Sequence, residues 1–123
     1  MKHVLIIDDA TTVRMYHRQI LTEAGFAVEE CINGVEALEK ALASRFDLFV
    51  VDVNMPKMDG YSFLRELRAR EEVHQAPAVM VSTEVQAKDR ELAFAAGANF
   101  YLTKPTKPGL LARVATLLTG DAQ

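Results

Sequence analysis

The chain has no tryptophan, one cysteine and no apolar run near the roughly 18 residues of a membrane span. A lone Cys31 excludes an internal disulfide and suits a reducing cytoplasm. Its expected role is that of a small hydrophobe at a strand end. Met1-Lys2-His3-Val4 runs straight into an apolar strand that ends on acids, with no secretory hydrophobic region and no small-residue cleavage site. A formal net charge of -3 gives no general attraction for nucleic acid or a membrane surface. Repeats, low-complexity tracts and linkers are also missing. The 123 residues, half of them apolar and a quarter charged, predict one soluble domain with a sizeable core, spanning 1-123.

What is present is a regular alternation. Val4 to Ile7 is an apolar run ending in Asp8-Asp9. Thr11 or Thr12 can then cap a helix in which Val13, Tyr16, Ile20, Leu21 and Ala24 recur at helical spacing until Gly25. Phe26 to Glu30 reads as a weaker strand nearer an edge. Asn33-Gly34 opens a second helix with Val35, Leu38, Ala41 and Leu42 on one face. Leu48 to Val51 is a run covered on both faces, ending on Asp52 and followed by a loop with Pro56 and the turn Asp59-Gly60. A third helix carries Phe63, Leu64 and Leu67. Ala78 to Val81 is a fourth strand that stops at Ser82-Thr83-Glu84. The spacing then predicts a helix from about Val85 to Ala96, with Val85, Leu92 and Ala96 on one side and Gly97 as its stop. Asn99 to Leu102 is a fifth strand before Thr103-Lys104-Pro105. Pro108 suits the first turn of a last helix whose apolar side is Leu110, Leu111, Val114, Leu117 and Leu118. Five strands alternating with five helices predict an α/β fold with an open parallel sheet wrapped on both faces. The chain stops with the fifth helix, so no output domain is expected.

Parallel strands place their carboxyl ends on one edge, where such sheets bind ligands. Asp8 and Asp9, Asp52, Ser82 and Lys104 all stand just past the last apolar residue of a strand. At ~5 Å and an effective dielectric of ~20, each like-charge pair among three carboxylates costs about 3 kcal/mol. Either their pKa values rise or a cation neutralises them. An oxygen-seeking divalent ion such as Mg²⁺ answers this economically. Acids, a cation site, a lysine and a hydroxyl together describe a site that handles phosphoryl groups.

Asp8-Asp9, Asp52, Ser82 and Lys104-Pro105, in that order and spacing, resemble the receiver domain of two-component response regulators. The resemblance covers the whole chain. It is closest in kind to the stand-alone chemotaxis type called CheY, through Asp8-Asp9-Ala10-Thr11-Thr12-Val13-Arg14, Asp52-Val53-Asn54-Met55-Pro56-Lys57-Met58-Asp59-Gly60, and Tyr101 three residues before Lys104. It implies a flavodoxin-like, doubly wound sheet of order 2-1-3-4-5. It implies further that Asp52 takes a phosphoryl group from a phosphohistidine on a sensor kinase (a CheA-like donor). Asp9 and Asp52 would bind Mg²⁺ with the backbone carbonyl of Asn54, Asp8 acting largely through water. Ser82 and Lys104 would hold the phosphoryl oxygens. Ser82 stands where many members have threonine, and Thr106 where a bulky apolar residue is common.

In such a family the aromatic at the Tyr101 position moves inward when the Ser82 hydroxyl is drawn to the phosphoryl group, which makes Ser82 and Tyr101 the switch. Helix phasing points Phe94 away from the sheet, so Phe94 and Tyr101 are the expected anchors for a protein target such as a flagellar motor switch protein. The implied protein is a cytoplasmic monomer that binds neither nucleic acid nor membrane and turns over no external substrate. A phosphate shuttle or sink between kinase and phosphotransfer proteins shares the chemistry. An aspartate-nucleophile phosphatase would need Asp-x-Asp after the first strand, which Asp8-Asp9-Ala10 lacks. A flavin carrier of the same topology would need a phosphate-cradling loop where Asp8-Asp9 repels phosphate.

Overall fold

The computed structural model describes residues 1–120. Strands β1 (His3–Ile7), β2 (Ala27–Cys31), β3 (Leu48–Asp52), β4 (Ala78–Ser82) and β5 (Phe100–Thr103) alternate with helices α1 (Thr11–Glu23), α2 (Gly34–Ala43), α3 (Gly60–Ala69), α4 (Ala87–Ala96) and α5 (Pro108–Thr119). All strand pairs are parallel, and the sheet order is β2-β1-β3-β4-β5. The fold is the CheY-like flavodoxin fold, as expected. No helix among the described residues is long and apolar enough to cross a membrane.

Alternation along the strands builds two cores. Leu5, Ile7, Phe49, Val51, Ala78, Met80 and Tyr101 face α2, α3 and α4, which supply Leu38, Phe63, Leu64, Leu67, Ala93 and Ala96. Val4, Ile6, Leu48, Val50, Val79, Val81 and Leu102 face α1 and α5, which supply Leu21, Leu111, Val114 and Ala115. Because the central strands are covered twice, β3 and β4 are buried at every position. This is why they read as unbroken apolar runs. Strand β2 lies at an edge and is only partly buried. Cys31 is buried at its end, where desolvation pushes the thiol up to about 12.

Helix phases depart from expectation where the apolar pattern is thin. Helix α4 begins at Ala87, not Val85; Val85 and Leu92 are exposed, and Ala93 and Ala96 are the buried positions. Alanine packs more closely than leucine, so this helix meets its neighbours through its small side chains. Phe94 is exposed. In α5, Leu110 and Leu117 face outward while Ala115 is buried, and in α2 Val35 and Leu42 face outward while Ala37 is buried. Ala10, rather than Thr11 or Thr12, occupies the cap position of α1, with no side-chain cap. Tyr16 lies at the rim of α1, its hydroxyl donating to the Thr106 carbonyl at 2.7 Å.

The loop after β3 carries Asp52 into α3 under tight steric control. Asp59 caps α3, its Oδ1 accepting from the Ser62 N–H at 2.8 Å, and the Gly60 N–H donates to the Val53 carbonyl at 2.9 Å. A Cβ on Gly60 would overlap the carbonyl oxygen of Asp52, a backbone atom with no freedom to retreat. Gly60→Ala should therefore lower the urea midpoint, a loss of about 1–3 kcal/mol. Gly109→Ala, in α5 with nothing within 4 Å of the new methyl, should leave stability unchanged or slightly raised. Equal midpoints for the Gly60 variant and the parent would contradict this packing.

Candidate phosphoryl site

The carboxyl ends of β1, β3 and β4 and the residue after β5 meet at one edge of the sheet. Asp8 is 2% exposed, Asp52 6% and Ser82 1%, so the site is walled in apart from Asp9, which is exposed. Asp8, Asp9 and Asp52 each offer a carboxylate oxygen within 4.8 Å of the others. β1 and β3 are neighbours, and that adjacency brings the acids together. Lys104 arrives from the far side of β4. Its Nζ donates to Asp8 Oδ2 at 2.9 Å and to Asp52 Oδ1 at 2.8 Å. The Lys104 N–H donates to the Ser82 carbonyl at 2.8 Å, which fixes where the side chain starts. Asp8 Oδ1 accepts from the Ala10 N–H at 2.9 Å.

Burial raises the pKa of Asp52 to about 6. The Lys104 hydrogen bond opposes the rise, and the charges of Asp8 and Asp9 add to it. Burial would lower Lys104, yet its hydrogen bonds to Asp52 and Asp8 outweigh that, and its pKa is raised. The ammonium is thus held charged and hydrogen-bonds to two of the three carboxylates. The donor set is all oxygen, partly buried and, with the three carboxylates ionised, two positive charges short of neutrality. Such a set fits a small divalent ion such as Mg²⁺. Asn54 lies exposed in the loop after β3.

Ser82 Oγ accepts from the Glu84 N–H at 3.1 Å. The carbonyl of the same Glu84 accepts from the Tyr101 hydroxyl at 2.8 Å. Tyr101 is 6% exposed, with the Arg90 guanidinium 5.5 Å from its ring centroid. It already points inward, and in this conformation only Phe94 of the two expected anchors offers surface. The sequence reading missed His17. This buried imidazole sits four residues after Val13 and four before Leu21, in phase with the buried side of α1. Burial lowers its pKa, while the charge of Asp8 opposes and that of Lys104 assists. With Thr12, Val13, Tyr16, Thr83 and Pro105 it lines a groove of about 550 Å³ that opens beside Lys104.

Residues 4–116 match the family described as response regulator receiver domain. The sensor protein EvgS of Escherichia coli is 38% identical over 102 residues, 83% of this chain and 8% of EvgS. The chain spans about half the length, or less, of the curated relatives it matches first. Among solved structures, the chemotaxis protein CheY4 of Vibrio cholerae superposes with a TM-score of 0.89 at 35% identity, covering 96% of this chain and 98% of that one. The receiver domain of the sensor histidine kinase PA1611 of Pseudomonas aeruginosa, solved with a magnesium ion coordinated in its active-site cleft, has a TM-score of 0.89 at 30% identity. That match covers 97% of this chain and 98% of that one.

The raised pKa of Asp52 has a consequence for stability. Below about pH 4 the residue is protonated in both folded and unfolded chains and costs nothing. Between its ordinary value of 3.8 and about 6 the folded state binds the proton more tightly, so stability falls as pH rises. Above that window the full penalty, of order 3 kcal/mol at most, is present. In metal-free buffer Asp52→Asn should therefore be more stable than the parent by about 2 kcal/mol at pH 8 and by little at pH 4. Urea unfolding at the two pH values measures this. An asparagine variant no more stable at pH 8 would contradict the assignment of a strained, buried carboxylate.

Proposed function

The chain belongs to the response regulator receiver domain family, and we propose that it is a phosphorylation-operated switch in which Asp52 is the phosphoacceptor. The observation that carries this reading is the convergence of Asp8, Asp9 and Asp52 with Lys104 bridging two of them. Receiver domains of two-component systems accept phosphoryl groups from histidine kinases and are signalling modules, not turnover enzymes. Here an Asp52 oxygen attacks phosphorus in line, forming the O–P bond as the bond to the donor's imidazole nitrogen breaks. Lys104, already hydrogen-bonded to Asp52, is placed to share its ammonium with an equatorial phosphoryl oxygen. Ser82 supplies a hydroxyl to another. Asp9, Asp52 and the Asn54 carbonyl would hold Mg²⁺, with Asp8 supporting through water. When bound, the ion supplies charge neutralisation for the phosphoryl oxygens.

Phosphorylation takes the Asp52 group from a charge near -1 to one nearer -2, with three strong acceptors. Rotating the Ser82 hydroxyl toward them releases the Glu84 N–H, and Glu84 is also the residue whose carbonyl holds Tyr101. The switch therefore runs from Ser82 through Glu84 to Tyr101 and the face formed by α4, β5 and α5. A protein target reads that face, with exposed Phe94 as an anchor. The likeness to CheY4 supports chemotaxis, with a CheA-like kinase as donor and a flagellar motor switch protein as target. The phosphate-shuttle reading draws support from EvgS and PA1611, both of which are sensor proteins. Back-transfer to the kinase faster than hydrolysis would select the shuttle.

Amide NMR spectra with Mg²⁺ and beryllofluoride test the switch directly. Shifts should appear at Asp52, Ser82, Glu84, Tyr101 and Lys104 and vanish in Asp52→Asn; spectra unchanged in the parent protein would overturn the reading. Phe94→Ala should weaken target binding about tenfold or more while leaving phosphoryl uptake intact. An unaltered affinity would remove Phe94 from the readout.

A further inference from the structure

Arg14, in the first turn of α1, reaches in two directions. Its Nη1 donates to the backbone carbonyl of Asp8 at 2.8 Å, and its Nε donates to Glu30 Oε1 at 2.9 Å. A weaker contact runs from Nη2 to Thr11 Oγ1 at 3.3 Å. The Arg14 side chain is only 13% exposed. Glu30 lies on β2 opposite Ile6, and its second oxygen takes Arg18 Nη1 at 2.6 Å. The next residue, Cys31, accepts from the Asp8 N–H at 3.1 Å. The edge strand therefore grips the acid loop twice: Cys31 directly at the Asp8 N–H, and Glu30 through Arg14 at the Asp8 carbonyl.

That carbonyl belongs to the peptide joining Asp8 to Asp9. Holding it sets the plane of the link, and with it the direction of the exposed Asp9 carboxylate relative to Asp8. We infer that Arg14, steadied by Glu30, is a positioning residue for the divalent-ion site: by fixing the Asp8–Asp9 peptide it aims both carboxylates at the ion. The inference rests on the cation site proposed for Asp8, Asp9 and Asp52.

Charge and position make opposite demands on this residue. A guanidinium bound to the Asp8 backbone carbonyl, at the edge of the cation site, competes electrostatically with a metal cation, so its removal on charge grounds alone tightens Mg²⁺ binding. Loss of an outer partner that orients a ligand loosens it. A merely structural arginine would lower the unfolding midpoint and leave the affinity where it was. Lysine keeps the charge but cannot serve the Asp8 carbonyl and Glu30 with one planar fork.

Mg²⁺ titrations of the whole chain, followed by amide NMR shifts, separate these cases. Urea unfolding of each variant runs alongside. Arg14→Ala should raise the Mg²⁺ Kd about tenfold despite the lost positive charge, and Arg14→Lys and Glu30→Gln should each raise it about threefold. Should the alanine variant fail to fold, the lysine and glutamine variants decide. Affinities unchanged or tightened across the folded variants would overturn the role of Arg14 alone. A parent protein that binds no Mg²⁺ would overturn the cation site, and this inference with it.

Discussion

The ammonium of Lys104 lies within hydrogen-bond reach of two carboxylates that the sheet forces together, and most of the architecture follows from keeping it there. Asp8 and Asp52 end adjacent strands β1 and β3, so their separation is set by sheet spacing. Lys104 must cross from β5, beyond β4, and its backbone is tied to Ser82 at the end of that intervening strand. Burial makes the arrangement expensive for Asp52, whose pKa rises to about 6. A site left in that condition favours whatever brings positive charge, as a divalent ion does, and a phosphoryl group, which adds negative charge, depends on that compensation.

The same economy explains how a local charge could be felt elsewhere. Ser82 is bonded to the N–H of Glu84, and Tyr101 to its carbonyl. One peptide segment thus carries the partners of both a site residue and a β5 aromatic. Through such a segment a change at Ser82 would reach Tyr101, as the proposed switch requires. Helix α4, which follows it, packs through Ala93 and Ala96 while Leu92 and Phe94 face outward.

Much of this could be read from the amino acids in order. Leu48 to Val51 and Ala78 to Val81 are continuous apolar runs because helices cover both faces of β3 and β4, and the polar residue closing each run lies at the functional edge. What escaped the reading has physical reasons. Helix α4 is mostly alanine and charge, so Val85 and Leu92 were expected on the buried side with Ala96; Ala96 is buried as expected, but its companion there is Ala93, and Val85 and Leu92 are exposed. Leu117 of α5 is 72% exposed, although its spacing fits an apolar side. The reach of Arg14 to Glu30 depends on the register of β2 against β1, and the bond from Tyr101 to Glu84 depends on loop geometry. Neither leaves a local period in the chain. His17 was in phase with a buried face, but its polarity concealed it.

The central claim is that one carboxylate of the cluster accepts phosphorus and that it does so because the others, with Lys104, prepare it. Exposure to labelled acetyl phosphate, followed by peptide mapping of the label, tests this most directly. The account predicts label on Asp52, dependent on Mg²⁺. Label on another residue, or none on Asp52 with Mg²⁺ present, would contradict it.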